Sequence, residues 1–310
     1  MALRHIAFTF LFVAGLALTP ANAGPAEVGP GLSRITTNTM PVVAEHYYRM
    51  LAKVRPLLFW ISRDNVGGAR IGWLGDHSGS KGYELLIGSD PARAPRKINR
   101  WGYIAEEVRG SRSSTLGVMK QSNEESIEDA KATLGKEVPG TPHVFKAIRA
   151  TAANGQAISD VLTLQAQGDL TYRDVDVLLS QVNNGARNTS TRTVTLPAGT
   201  RPGFLIALAD LINTPSLRSV PYVYNGRFHT LHRKSSDSVA MRKVGRDYAG
   251  LIRARFETEN QATRERTPFD ITYASDGALK GVPIHATYQP KWWFQVELFL
   301  EDDPTKFRGE

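Results

Sequence analysis

Apolar and polar side chains alternate along residues 292–300. Trp292, Phe294, Val296, Leu298 and Leu300 fall on one face of an extended chain, and Trp293, Gln295, Glu297, Phe299 and Glu301 on the other. Period two of this kind predicts a half-buried strand with one greasy and one mostly wet face. The same pattern, or a short apolar run bounded by turn residues, recurs at 48–54, 57–61, 69–74, 83–87, 101–104, 116–119, 144–151, 157–165, 174–179, 193–196, 222–228, 251–258, 269–273 and 281–288. Asn154-Gly155 and Asn225-Gly226 lie between such segments and predict tight hairpins, while Asn65-Val66-Gly67-Gly68 reads as a turn between two neighbouring strands.

Two stretches follow the helical period instead. In 123–135, Ile127, Ala130 and Leu134 recur at spacings of three and four. Ser122 or Asn123 offers a cap, Glu124 and Glu125 suit the positive N-terminus, and Gly135 ends the run, which predicts a short amphipathic surface helix. Residues 204–212 are apolar on nearly every side, with Thr200 as the expected cap and Pro202 in the first turn. A helix greasy all round and too short to cross a bilayer is expected to be buried against or within a curved sheet.

Many short strands and few helices predict a mainly β protein. The expected architecture is a curved antiparallel sheet, barrel-like or wound as a β-spiral, with one buried apolar helix and one short surface helix. No segment has the length of a βαβ crossover. An outer-membrane barrel is the competing β architecture, and charged residues interrupting the outward faces argue against it.

The first residues change the picture by supplying an address. Arg4 precedes an apolar stretch at 6–18 and the triplet Ala21-Asn22-Ala23, the pattern of an export leader cleaved after Ala23. The chain is therefore expected to comprise a signal peptide (1–23), a flexible Gly- and Pro-rich segment (24–40) and a single β-rich domain (41–310), periplasmic or secreted. No other apolar run approaches the about 20 residues a spanning helix needs, so no transmembrane segment is expected in the mature chain.

The chain has Cys 0, which excludes disulfides, thiolate metal sites, cysteine nucleophiles and lipid attachment at a thiol. Its formal net charge of +8 favours anionic partners. The cations are scattered and not interleaved with stacking aromatics, so nucleic acid ranks low and an anionic envelope component or lipid ranks first.

One cationic cluster stands out. Arg93, Arg96, Lys97 and Arg100 sit between the strands predicted at 83–87 and 101–104, on a loop stiffened by Pro91 and Pro95, and guanidinium forks suit phosphate or carboxylate. The blander reading, and the commoner fate of surface charge, is that Asp90 and Glu106 or Glu107 pair with these arginines. Together with Phe204, Leu208 and Leu211, which would line or fill an apolar interior, the four cations form the candidate ligand-binding set.

No nucleophile elbow or phosphate-cradling loop is present, and no cofactor is expected. His229 and His232 lie three apart, on opposite faces of a strand, which argues against a shared metal. A hydrolase acting on envelope polymer, with histidines near His229 and carboxylates brought together by the fold, is the second hypothesis.

The order strand, Leu196-Pro197-Ala198-Gly199-Thr200, apolar helix resembles the corresponding stretch of exported β-spiral proteins of bacterial cell-envelope integrity. The resemblance covers Thr193 to Ile212 and implies a periplasmic, non-enzymatic role. The paired cysteines expected of that family are missing here.

Overall fold

The computed structural model describes residues 40–55, 59–75, 79–120, 142–182, 187–243, 246–291, 294–301 and 303. The leader, the segment before Met40, the amphipathic helix expected at 123–135, and Trp292 and Trp293 lie outside the described residues.

Alternation produces the expected sheet: 14 strands, all antiparallel, in one curved open layer. Eight come first: β1 (Val42–Val54), β2 (Ile61–Gly75), β3 (Lys81–Ser89), β4 (Trp101–Arg109), β5 (Arg112–Lys120), β6 (Pro142–Ala153), β7 (Gln156–Gln167) and β8 (Arg187–Thr195). Six follow: β9 (Ser219–Tyr224), β10 (Arg227–Lys243), β11 (Arg246–Asn260), β12 (Arg266–Ala274), β13 (Pro283–Lys291) and β14 (Phe294–Glu301). Each strand pairs with its neighbours in sequence except β8 with β9, and the last returns to the first, Tyr48 facing Leu300 and Val54 facing Phe294.

The free edges are therefore β8 and β9, which are consecutive in the chain. The two ends approach without a ladder: Ser159 of β7 donates to Asn225 Oδ1 in the β9–β10 turn at 3.3 Å, and a Cβ on Gly226 of that turn would lie 2.8 Å from Arg192 Cβ of β8. The sheet curls almost to closure and stops short of a barrel.

Both Asn-Gly pairs make the expected tight turns, with φ of 52° and 74° at Asn154 and Gly155 and of 50° and 62° at Asn225 and Gly226. The Asn65 to Gly68 turn does not form. Those residues run inside β2 as a bulge, with Met50 facing Gly67 but Ala52 facing Arg63 and Asn65 at φ 55°. Gly67 serves close approach here, because its missing Cβ would sit 2.1 Å from the carbonyl oxygen of Gly88.

The alternation at 174–179 also misleads. Thr171 and Asp174 form a capping box, and the chain continues as helix α1 (Val175–Val182). Val175, Leu178 and Val182 face inward at spacings of three and four, and they pack with Tyr172 on Trp101, Tyr103, Phe145 and Leu162. Those partners sit on the outer, convex face, so β4 is covered from outside by α1.

From inside, β4 is covered by helix α2 (Phe204–Asn213), the expected apolar helix. It lies in the connection between the two free edges and packs with Ile104, Tyr222, Leu231, Phe256, Phe269 and Ile271. The wet face expected for β14 is drier than the alternation implies. Glu297 is buried, accepts a hydrogen bond from His285 Nε2 at 3.1 Å and pairs with Lys53. The His285 bond and the Lys53 ammonium hold its carboxyl down at about 2.

A depressed carboxyl stabilises the fold above the unfolded carboxylate range and loses that contribution as pH falls toward 2. Urea titrations of Glu297→Gln should accordingly lack part of the acid-induced loss of stability between about pH 4.5 and pH 2. Parallel curves for the two proteins would remove that carboxylate from the acid response.

Candidate functional site

Strand order places α2 across the concave face, and a cavity of about 160 Å³ remains between it and the wall. Ile71, Trp73, Tyr83, Leu85 and Ile87 form one side, and Phe269, Ile271, Ala286, Tyr288, Val296 and Leu298 the other. The helix contributes Phe204, Leu205, Leu208 and Ile212. The lining is mostly apolar, with Glu84, Asn213, Asp270, Lys280 and Thr287 as its polar points. For scale, an apolar void of about 150 Å³ in another protein stays dry and accepts benzene.

What holds α2 in place is a pair of opposite charges on the wall. At its N-terminus Glu106, fully buried on β4, accepts from the amides of Phe204 at 2.8 Å and Ile206 at 3.0 Å. Gly203 occupies the N-cap, and the expected cap Thr200 is not used. The correction has a steric reason: a Cβ on Gly203 would stand 2.1 Å from the Glu106 carboxyl carbon, so the cap must come from elsewhere in the fold. Burial pushes the Glu106 carboxyl up to about 7, against the pull of three amide donors at Phe204, Leu205 and Ile206.

Beyond the C-terminus the buried Arg233 donates Nη1 to the Pro215 carbonyl at 2.9 Å. Negative charge thus meets the positive end of the helix and positive charge the negative end. Arg201 and Asp210 add an ion pair along its side.

Of the candidate set, Phe204 and Leu208 reach the cavity. Leu211 is fully buried in the core under α2 and does not line it. The cationic loop lies outside the cavity lining. It is closed at the neck by Ser89, which donates Oγ to Ile98 O at 2.8 Å and accepts from the Arg100 amide at 2.9 Å. Asp90, buried at its start, pairs with Arg173 at 3.0 Å and Arg93 at 3.6 Å, as the blander reading required of one acid.

Arg100 is buried and donates to Asn99 O at 3.0 Å, whereas Lys97 is exposed. The Arg96 side chain lies outside the described residues. Glu106 accepts from the α2 amides, and Glu107 accepts from the Met40 amide at 2.7 Å and pairs with Arg109 at 3.1 Å. The structure therefore separates the apolar and cationic halves of the set.

His229 is buried, stacked on Tyr222 with ring centroids 5.1 Å apart, and burial pulls it down to about 4. Neither ring nitrogen finds a hydrogen-bond partner among the described residues, so no carboxylate orients it as a base. Sequence reasoning missed Glu106 and Arg233 as the groups that position α2. Their only trace was the first of two adjacent acids after an apolar run and an arginine near an alternating one.

No protein-family model matches the chain, and no curated protein sequence matches it. A crystal structure described as a β-barrel-like protein of domain of unknown function DUF1849 from Brucella abortus is similar, with a TM-score of 0.44 and 8% identity. That likeness covers 85% of this chain and 97% of the other. It is weak and concerns overall build, and no sequence match strengthens the resemblance read from Thr193 to Ile212.

Proposed function

We propose that this chain is an exported, non-catalytic binding protein that takes a lipid-like apolar molecule into the cavity beside α2. The observation that carries the reading is that cavity. It is enclosed by side chains of six strands and a helix, mostly apolar, and larger than packing voids usually are. The leader pattern in residues 1–23 supports export. At about 160 Å³ the space admits a short alkyl chain or single ring. A longer acyl chain requires α2 to shift outward.

The hydrolase reading has weaker support: Thr287 of the cavity wall stands 3.4 Å from His285 Nε2, but the same nitrogen is engaged by Glu297 at 3.1 Å, which leaves it no free lone pair to take the hydroxyl proton.

N-phenyl-1-naphthylamine, which like a longer acyl chain needs α2 to shift outward, should bind the purified mature protein with a blue-shifted emission, and palmitate should displace it. Leu208→Trp, which fills the cavity from the helix side, should weaken dye binding at least about tenfold with an unchanged far-ultraviolet circular dichroism spectrum. Equal dye binding by the variant and the wild type would refute the cavity as the site.

A further inference from the structure

One end of the curled sheet carries apolar side chains left exposed among the described residues. Where β1 gives way to β2, Val54 is 37% exposed, Phe59 61%, Trp60 37% and Ile61 54%. Ladder partners show that this hairpin outruns its neighbour on the β3 side, while β14 follows β1 as far as Val54. β3 joins β2 only from Gly67 onward, so residues 61–66 extend past the neighbouring strand. The 89–100 loop stands beside the projection, tied by the Asp90 amide to Val66 O at 2.8 Å.

Charge at this end is lopsided. Asp64 is answered by Arg49, and Asp90 by Arg93 and Arg173. Arg55, Arg63 and Lys97 have no ion-pair partner among the described residues, and the Arg55 guanidinium lies 6.0 Å from the Trp60 ring centre. Aromatic and aliphatic tips with unanswered cations behind them match the layering of a bilayer surface, apolar below and anionic above.

We propose that this end of the sheet docks on an anionic lipid bilayer, Phe59, Trp60 and Ile61 entering the headgroup layer while Arg55, Arg63 and Lys97 meet lipid phosphates. The surface is separate from the cavity: none of these six residues lines it.

Co-sedimentation with vesicles of phosphatidylglycerol and phosphatidylethanolamine, against vesicles of phosphatidylcholine alone, tests the proposal. The wild type should pellet with the anionic vesicles, less so as salt rises. Phe59→Ser combined with Trp60→Ser should lose at least about tenfold in affinity, each serine forfeiting most of an aromatic side chain's burial. Arg55→Gln combined with Arg63→Gln should lose about twentyfold on anionic vesicles, at about fivefold per cation, and little on phosphatidylcholine.

Dye uptake measured without vesicles keeps the two readings apart. Loss of vesicle binding by the serine variant with normal dye uptake supports a docking tip distinct from the cavity. Normal dye uptake by a wild type that ignores anionic vesicles overturns the docking proposal and leaves the cavity reading intact. A natively folded serine variant that binds vesicles as the wild type does overturns it equally.

Discussion

Glu106→Ala should lower the unfolding free energy by about 3 kcal/mol, since it strips the helix cap and leaves buried amides without an acceptor. Those amides belong to Phe204 and Ile206, and no neighbouring side chain of α2 can replace the carboxylate. Gly203→Ala should produce much of the same loss by a different route. Its Cβ would stand 2.1 Å from the Glu106 carboxyl carbon and must drive that group off the helix. Because both changes break one contact, the double variant should cost much less than the two single costs combined.

The same carboxylate gives stability a pH signature. Its folded value near 7 lies above the ordinary carboxylate range. Below about pH 4.5 both states hold the proton and the native state carries no penalty. As pH rises toward 7 the unfolded chain releases the proton first, so this group's contribution falls, by at most about 1.4 kcal/mol per pH unit. Glu106→Gln, which keeps an acceptor but cannot ionise, should narrow its deficit relative to the wild type between pH 4.5 and 7.5. Urea unfolding at four pH values across that range measures it. A constant difference would mean that Glu106 ionises in the folded protein as it does in the unfolded chain.

Leu211→Ala and Leu208→Ala should divide along the line between core and cavity. Leu211 is fully buried, so truncation should cost about 3 kcal/mol, within the range for leucines in well-packed cores. Leu208 is half-buried and borders existing empty space, so truncation should cost under about 1.5 kcal/mol while enlarging the cavity. Thermal melts paired with dye titrations separate the two effects. Affinity for longer acyl chains should rise for Leu208→Ala and hardly change for Leu211→Ala. The reverse pattern would mean that ligand enters beneath the helix, not beside it.

Much of the fold was legible because strand formation writes itself locally. Period two marked most strands, Asn-Gly supplied two turns of the required handedness, and an apolar run of helical length announced α2. Failures came where two local signals competed. Residues 174–179 alternate as a strand does, but the capping box at Thr171 and Asp174 starts a helix whose inward residues recur at three and four. Around Asn65 a turn signature was spent on a bulge, because β1 pairs with β2 on both sides of it and holds it as one strand.

The site was legible only in part, and for a related reason. Phe204 and Leu208 could be named from an apolar helix that had to be buried somewhere. The partners of that helix lie far away along the chain, Glu106 about a hundred residues before Phe204 and Ile206. Nothing near Glu106 distinguishes it from Glu107, yet one caps a helix inside the sheet and the other pairs with Arg109 outside it. Adjacent side chains on a strand face opposite ways, so curvature assigns them to different environments.

By itself, then, the amino-acid order determined the kinds of element, their sequence along the chain and the apolar character of the helix. These depend on periodicity and turn chemistry within a few residues. Only the tertiary structure decided that the sheet stops short of closing, that a buried acid and a buried arginine hold α2 by its ends, and that the cationic loop stands apart from the cavity. Those outcomes depend on register and curl, which bring together groups that no local pattern connects.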